Sequence, residues 1–434
     1  MSVSQISAAG NISPPRVITD PVLSGGVGVN ATVGQTLTST SGTWRGTQQL
    51  VFAYQWYRGG STPIPGATGT SYTLTASEQG LNVDCGVTAN GPVPPASTRY
   101  SSNYYTVSAA IPSRTGQGVF AFGFAVTPAS TYYNIYNTLN NAGVIAINAT
   151  QASATTRHYA AGSRYGGDKG IAAFGLASSP TLYLNKSNLI SNTGVLAADT
   201  PTSTGQFRGG CAGATYGSSG QALIGYGTGP AGYYRDWNYI TNTGVVQANA
   251  PSVFGDQYQA YVSAAEYGSD KVIFAYGISD NPSLNTYSNE KTLVSNTGVL
   301  NPYLVGGGSR RYQTAGAGYG GDKAIFAYGS NLSIAAPASK YLNVYNLVSA
   351  IGDIAANAGN AGMPRQGVGA ATYGSPTADR AVFAYGYGSP SPTGATPTLA
   401  YRNIKNMVTN TGVLAADDPS AVGTARSGVT GVGF

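Results

Sequence analysis

Charge is what this chain has least of. Charged residues fill 9% of its 434 positions, 22 basic against 16 acidic, and there is a single histidine, His158. With one histidine and only two cysteines, Cys85 and Cys211, neither a zinc cluster nor a nucleophile triad is signalled, and no metal or cofactor is expected. No run of eighteen apolar residues occurs, and the start MSVSQISAAGNISPPR lacks a basic segment followed by an apolar one. Neither membrane insertion nor a secretory signal is therefore expected. Heptads and long helical periodicity are also missing, so helix should be scarce. A net charge of +6 without a glycine-rich loop opening a helix argues against nucleic acid as a partner. Residues 1–111 hold four basic and three acidic groups, so the small excess, a weak preference for anionic partners, belongs to the rest of the chain.

In place of charge there are 61 glycines and 32 tyrosines, and they recur in a repeated phrase. It reads YGGDKGIAAFG from Tyr165, YGSSGQALIGYG from Tyr216, YGSDKVIFAYG from Tyr267, YGGDKAIFAYG from Tyr319 and YGSPTADRAVFAYG from Tyr373. The closing glycines stand at Gly123, Gly175, Gly227, Gly277, Gly329 and Gly386, giving steps of 52, 52, 50, 52 and 57 residues. A unit of about fifty residues suits the four-stranded blade of a β-propeller. A second marker, NTGVL or a variant, puts glycines at Gly143, Gly194, Gly244, Gly298, Gly352 and Gly412. A third places Arg157, Arg208, Gln259, Arg311, Arg365 and Arg426 eight residues before an aromatic, the last being Phe434. Six copies predict six blades.

An orphan copy, GQGVFAFGF from Gly116 to Phe124, has no tyrosine phrase before it. The expectation is a ring in which this strand joins a sixth blade whose other strands come from the C-terminus, removing free sheet edges. AIFAYG alternates as a strand packed on both faces, and NTG reads as a tight turn with glycine supplying a positive φ. The glycine- and alanine-rich strands after each arginine are placed toward the channel or the blade interfaces.

Residues 17–108 do not share the repeat. They run VGQTLTSTSGTW, VFAYQWYRGG and GATGTSYTLTASEQGLNVDCGVTANG, with Trp56 central and Cys85 on a later strand. Order and spacing resemble an immunoglobulin-like sandwich, with Leu37 where a partner cysteine would stand, so that no intersheet disulfide is available. Cys85 and Cys211 read as buried small hydrophobes.

The fold expected is all-β: an attachment arm at 1–16, the immunoglobulin-like domain at 17–108, a linker at 109–115, and a closed six-bladed propeller at 116–434. The VGQTLT…GTW…YQW module resembles those of tailed-phage virion proteins, and YG.DKAIFAYG with NLVSNTGVLA is similar to kelch- or RCC1-like propeller repeats of phage structural and fibre proteins. The resemblance implies a virion location as a fibre, spike, tail or decoration protein, made in the host cytoplasm and present in several copies. It implies no reaction. Other virion proteins are the expected partners of the arm and first domain.

Candidate binding residues come from variation between repeats. The distance from the first to the second glycine marker runs 20, 19, 17, 21, 23 and 26 residues, so insertions gather in one segment, which maps to one face. These loops carry Tyr132, Tyr133, Tyr183, Tyr233, Tyr234, Trp237, Tyr287, Tyr341 and Tyr401, side chains suited to stacking on a host-surface glycan. Arg157, Arg208, Arg311, Arg365 and Arg426 form a candidate basic ring for an anion, against the plainer reading that they bond carbonyls or stack on the adjacent blade. An enzyme reading, a polysaccharide-degrading propeller, would need two carboxylates from the unrepeated acids Asp199, Asp236, Asp256, Glu266, Asp280, Glu290, Asp353, Asp417 and Asp418. These are scattered. Asp168, Asp270, Asp322 and Asp379 recur and read as turn residues.

Overall fold

The computed structural model describes residues 13–434 apart from 27–29, 47–48, 109–113, 127–128, 178–181, 203–205, 218–219, 251–258, 280–286, 302–303, 334–339, 360–361, 375–377, 390–397 and 421–422. Most of the arm and linker therefore lie outside the described residues. The chain is all-β, with no α-helix among the described residues, and it divides into two compact units, Met1–Ile111 and Pro112–Phe434.

In the first unit, Leu23–Ser24, Thr36–Ser39 and Ser71–Thr73 form one sheet. A second runs in the order Asn30–Thr32, Tyr105–Ser108, Asn82–Asn90, Val51–Arg58, Thr62–Pro63. The period-two alternation of Thr36–Ser39 buries Leu37, and the pairing of Trp56 with Cys85 buries both in the same core. Trp56 Nε1 donates to the Gly69 carbonyl at 2.9 Å, so its one polar atom is satisfied. The TASEQGL segment makes a 3-10 turn at Ala76–Glu78 with a capping box between Thr75 and Glu78. Glu78 is fully buried; burial pushes its carboxyl up, but hydrogen bonds from Ser77, Thr75 and Tyr72 outweigh this and hold it below the usual range.

Among the described residues the second unit contains six antiparallel sheets built on one plan, beside three two-stranded ones. A strand of small residues, such as Ala315–Tyr319, turns through the tyrosine phrase into a strand buried on both faces, such as Lys323–Ala327. That strand pairs with one that leads into the second glycine marker, such as Tyr345–Val348 before Gly352. The small-residue strands Ala161–Tyr165, Ala212–Tyr216, Ser263–Tyr267, Ala315–Tyr319, Gly369–Tyr373 and Thr430–Gly433 lie side by side in that order, and the last adjoins the first. Their glycines and alanines let six backbones share one axial space.

Gly118–Ala121 pairs with Thr430–Gly433 on one side and Ile135–Leu139 on the other. The split differs from the expected one. The C-terminal segment gives this sheet a single strand, and Gly118–Ala121, Ile135–Leu139 and Ala149–Thr150 supply the rest. The reason is local: in every repeat the small-residue strand precedes the tyrosine turn, so the break falls between first and second strands.

Backbone hydrogen bonds link the six sheets in sequence. The amide of each phrase-closing glycine donates to the carbonyl at the arginine position of the next sheet, from Gly123 to Arg157 at 2.8 Å through Gly386 to Arg426 at 2.8 Å. A second set forms a cycle two residues beyond the arginines. Tyr159 donates to Gly428, Gly210 to Tyr159, Tyr261 to Gly210, Gln313 to Tyr261, Gly367 to Gln313, and Gly428 to Gly367, at 2.7 to 3.3 Å. All six residues have φ between 50° and 66°. This left-handed conformation turns each amide toward its neighbour, and it is unfavourable for the two tyrosines and the glutamine.

Candidate binding site

The five repeated arginines are fully buried and form no ring open to an anion, which corrects that expectation. Each guanidinium fills a junction between sheets. Arg157 lies over Phe122 at 4.2 Å, Arg208 over Phe174 at 4.5 Å, Arg311 over Tyr276 at 4.0 Å, Arg365 over Tyr328 at 4.0 Å and Arg426 over Tyr385 at 4.1 Å. On its other side each donates to an asparagine six residues before an NTG-type glycine: Asn188, Asn238, Asn346, Asn406 and Asn137 respectively. Each asparagine amide in turn donates to a carbonyl nine residues on, from Ala146 at 2.8 Å to Ala415 at 3.0 Å. With these side chains committed, burial pushes Arg157 down to about 10, opposed by Asp199.

The junction at Gln259 is built otherwise. There the asparagine is replaced as well, by Thr292, and the Tyr226 hydroxyl bonds Thr292 Oγ1 directly at 2.6 Å. Arginine and asparagine are absent together.

Trp237, expected on the recognition loops, is fully buried against Tyr226 at 4.6 Å and Phe274 at 4.9 Å. It fits because its strand partner is Gly225, where Ala121 and Ala327 face Tyr136 and Tyr345 in other sheets.

The eight candidate tyrosines are all half-buried, with part of each side chain exposed. Tyr132, Tyr183, Tyr233, Tyr287, Tyr341 and Tyr401 each stand eleven residues before the second glycine marker and so hold equivalent places. Ring contacts join several of them to the residues around the axis. Tyr341 meets Tyr387 at 5.9 Å, Tyr387 meets Tyr401 at 4.8 Å, and Tyr401 meets Phe124 at 5.7 Å. Phe124 and Tyr132 flank His158 at 4.5 and 5.2 Å, and His158 meets Tyr159 at 4.8 Å. Tyr159 meets Tyr261 at 5.2 Å, Tyr261 meets Tyr312 at 6.0 Å, and Tyr312 stacks with Tyr287 at 5.0 Å. Burial pushes Tyr261 up to about 12, with Tyr183 and Tyr233 near enough to add to the shift. Tyr133 lies near Tyr401, whereas Tyr234 packs beneath, over Gly229 and beside Arg208.

At the centre is a solvent-open space of about 120 Å³, lined by residues of all six inner strands, including Tyr159, Cys211, Tyr261, Gln313 and Thr314. Among the described residues no charged side chain lines it. Burial pushes Cys211 up to about 11 and Tyr159 well above the phenol range. His158 beside it is pushed down to about 4 by burial, and its Nδ1–H donates to the Leu176 carbonyl at 2.9 Å. The basin is therefore uncharged at neutral pH.

Charge sits at the other end of the axial space, where Glu266 is held by Arg114 and by Arg164 at 3.2 Å. The other unrepeated acids among the described residues are also engaged. Asp199 accepts from Lys186 at 3.0 Å, Asp236 from Gln206 at 2.7 Å, Glu290 from Ser288 at 2.7 Å and Asp417 from Arg365 at 3.3 Å. Lys291 bonds Asp353 at 3.3 Å, and Lys405 lies 3.5 Å from Asp418. Asp256 and Asp280 lie outside the described residues. The recurring Asp168 and Asp270 accept from Asn192 and Asn296 of the NTG turns, a structural use.

Sequence reasoning missed the central residues Tyr159, Tyr261 and Gln313. Their signal was available: two residues past the arginine marker the chain reads Tyr, Gly, Tyr, Gln, Gly, Gly. No family model and no curated protein matches the chain.

Proposed function

We propose that residues 116–434 form a closed six-bladed β-propeller and residues 17–108 an immunoglobulin-like sandwich. The cyclic order of the inner strands, the amide cycle and the pairing of Gly118–Ala121 with Thr430–Gly433 support the first. The buried Trp56 and Cys85 facing Leu37 across two sheets support the second.

On this fold we infer a non-enzymatic virion protein of a tailed phage that uses the propeller to attach to a host-surface glycan. The observation carrying it is the convergence of half-exposed tyrosines around one uncharged axial basin. The arm and first domain would join other virion proteins, in multiple copies. A second reading, decoration of the particle without host contact, is favoured by Val144, Val195, Val245, Val299 and Val413. These lie 55% to 60% exposed just after the second glycine marker, an apolar set repeated sheet by sheet.

Incubating the full chain with isolated cell envelopes and with virion proteins, while following retention and released reducing ends, tests these readings. Retention on envelopes without cleavage is expected. Cleavage overturns the non-enzymatic reading, and retention only by virion proteins selects decoration.

A further inference from the structure

The six residues of the amide cycle share a hydrogen-bonding task and a left-handed backbone, yet not their side chains. Gly210, Gly367 and Gly428 perform that task without a side chain. Tyr159, Tyr261 and Gln313 perform it in a conformation that glycine would adopt without strain. Elsewhere in the unit, repeated strain has a repeated structural purpose. The aromatic before each phrase-closing glycine is left-handed in all six sheets, and five of the six lie under an arginine. At the cycle the backbone has no such need of tyrosine or glutamine, so these side chains are retained for what they face.

They face the basin. Tyr159 and Tyr261 meet edge to face at 5.2 Å across Gly210, where an added Cβ would lie 3.1 Å from the Tyr261 ring. Gln313 lines the same cavity, and its Oε1 is buried without a hydrogen-bond partner among the described residues. An unpaired buried acceptor is unfavourable unless a ligand donates to it. Aromatic faces, phenolic hydroxyls and one waiting acceptor, in a space of about 120 Å³ open to solvent and without charge among its described lining, suit a single ring that is apolar on its face and hydroxylated on its edge.

We propose that this axial basin takes a terminal residue of a neutral glycan, with Tyr159 and Tyr261 contacting the sugar ring and Gln313 Oε1 accepting from a sugar hydroxyl. The proposal rests on the glycan-attachment reading and narrows it, since the buried arginines offer nothing to an acidic sugar. Charge being absent, retention should be insensitive to added salt.

The test uses the full chain on immobilised neutral polysaccharides (dextran, mannan, galactan) and anionic ones (polygalacturonate, dextran sulfate), for wild type and for Tyr159→Gly, Tyr261→Gly and Gln313→Gly. Each variant installs the residue three other sheets already use, and its melting temperature reports folding independently. Expected are retention on at least one neutral polymer, loss of at least tenfold in affinity for Tyr261→Gly and Gln313→Gly, and unchanged or raised melting temperatures. Retention on anionic polymers alone overturns this inference while leaving glycan attachment standing. Neutral retention unaffected by the glycine variants, or variants that melt lower by several degrees, also overturns it. Retention on neither class overturns the inference and the attachment reading together.

Discussion

Tyr226 sets its hydroxyl 2.6 Å from Thr292 Oγ1, tying together two neighbouring sheets where Gln259 stands in place of arginine. At the other five junctions an arginine spans the gap from an aromatic face to an asparagine. The two designs are mutually exclusive, because a guanidinium at 259 would need the space and the acceptor that the tyrosine–threonine bond removes.

Gln259→Arg alone is therefore expected to lower stability by about 1–3 kcal/mol through overpacking. Adding Thr292→Asn restores the partner found at Arg311, Tyr276 and Asn346, and the pair should couple favourably by roughly 0.5–3 kcal/mol. A double-mutant cycle by urea denaturation measures this; simple additivity would contradict it.

Arg365 donates to the Tyr385 carbonyl at 2.9 Å and to Asn406 while lying over Tyr328. Arg365→Met leaves these buried acceptors unpaired, with an expected loss of about 3–5 kcal/mol. Arg365→Lys keeps charge but not the planar fork and should recover less than half of that. Equilibrium unfolding of the two variants separates charge from geometry.

His158 has its folded pKa lowered to about 4 by burial, below its ordinary 6.5. As pH falls, the unfolded chain takes up the proton first, so the stability held by the neutral ring is present above pH 6.5 and lost toward pH 4. The loss is of the order of 2 kcal/mol after allowing for partial exposure. Melting temperatures across that range should fall more steeply for the wild type than for His158→Gln.

A Cβ at Gly225 would lie 2.0 Å from the Trp237 ring. Gly225→Ala is expected to destabilise by about 2–3 kcal/mol. Combined with Trp237→Tyr, which recreates the alanine–tyrosine pairs at Ala121 with Tyr136 and Ala327 with Tyr345, it should be nearly tolerated. Thermal melts of the three variants decide it.

The repeat, its strands and its tight turns could be read from letters because glycine spacing and strand alternation are local. The division of the joining sheet between the two ends of the repeat differs from the one expected, with a single strand from the C-terminal segment, since the break falls at the turn between first and second strands. The arginines were visible as a column, but whether a repeated cation faces a channel or a junction depends on partners in two different sheets. Still, the joint replacement at Gln259 and Thr292 was a written hint. So was Gly225 in a phrase that otherwise carries alanine before its aromatic, which marks the room Trp237 occupies. Tyr159, Tyr261 and Gln313 are not marked by loop length, because the variation they carry sits in a segment of nearly fixed length.

The amide cycle through Tyr159, Gly210, Tyr261, Gln313, Gly367 and Gly428 runs in one rotational sense, every donor pointing to the preceding sheet. Peptide dipoles following one another head to tail around a closed circuit cancel in its plane, unlike those of a helix terminus, which add. Whatever enters the basin thus meets a rim of hydrogen-bonded backbone with no lateral electrostatic pull, and its orientation about the axis is left to the side chains that line the space, Tyr159, Tyr261 and Gln313 being the largest among those described.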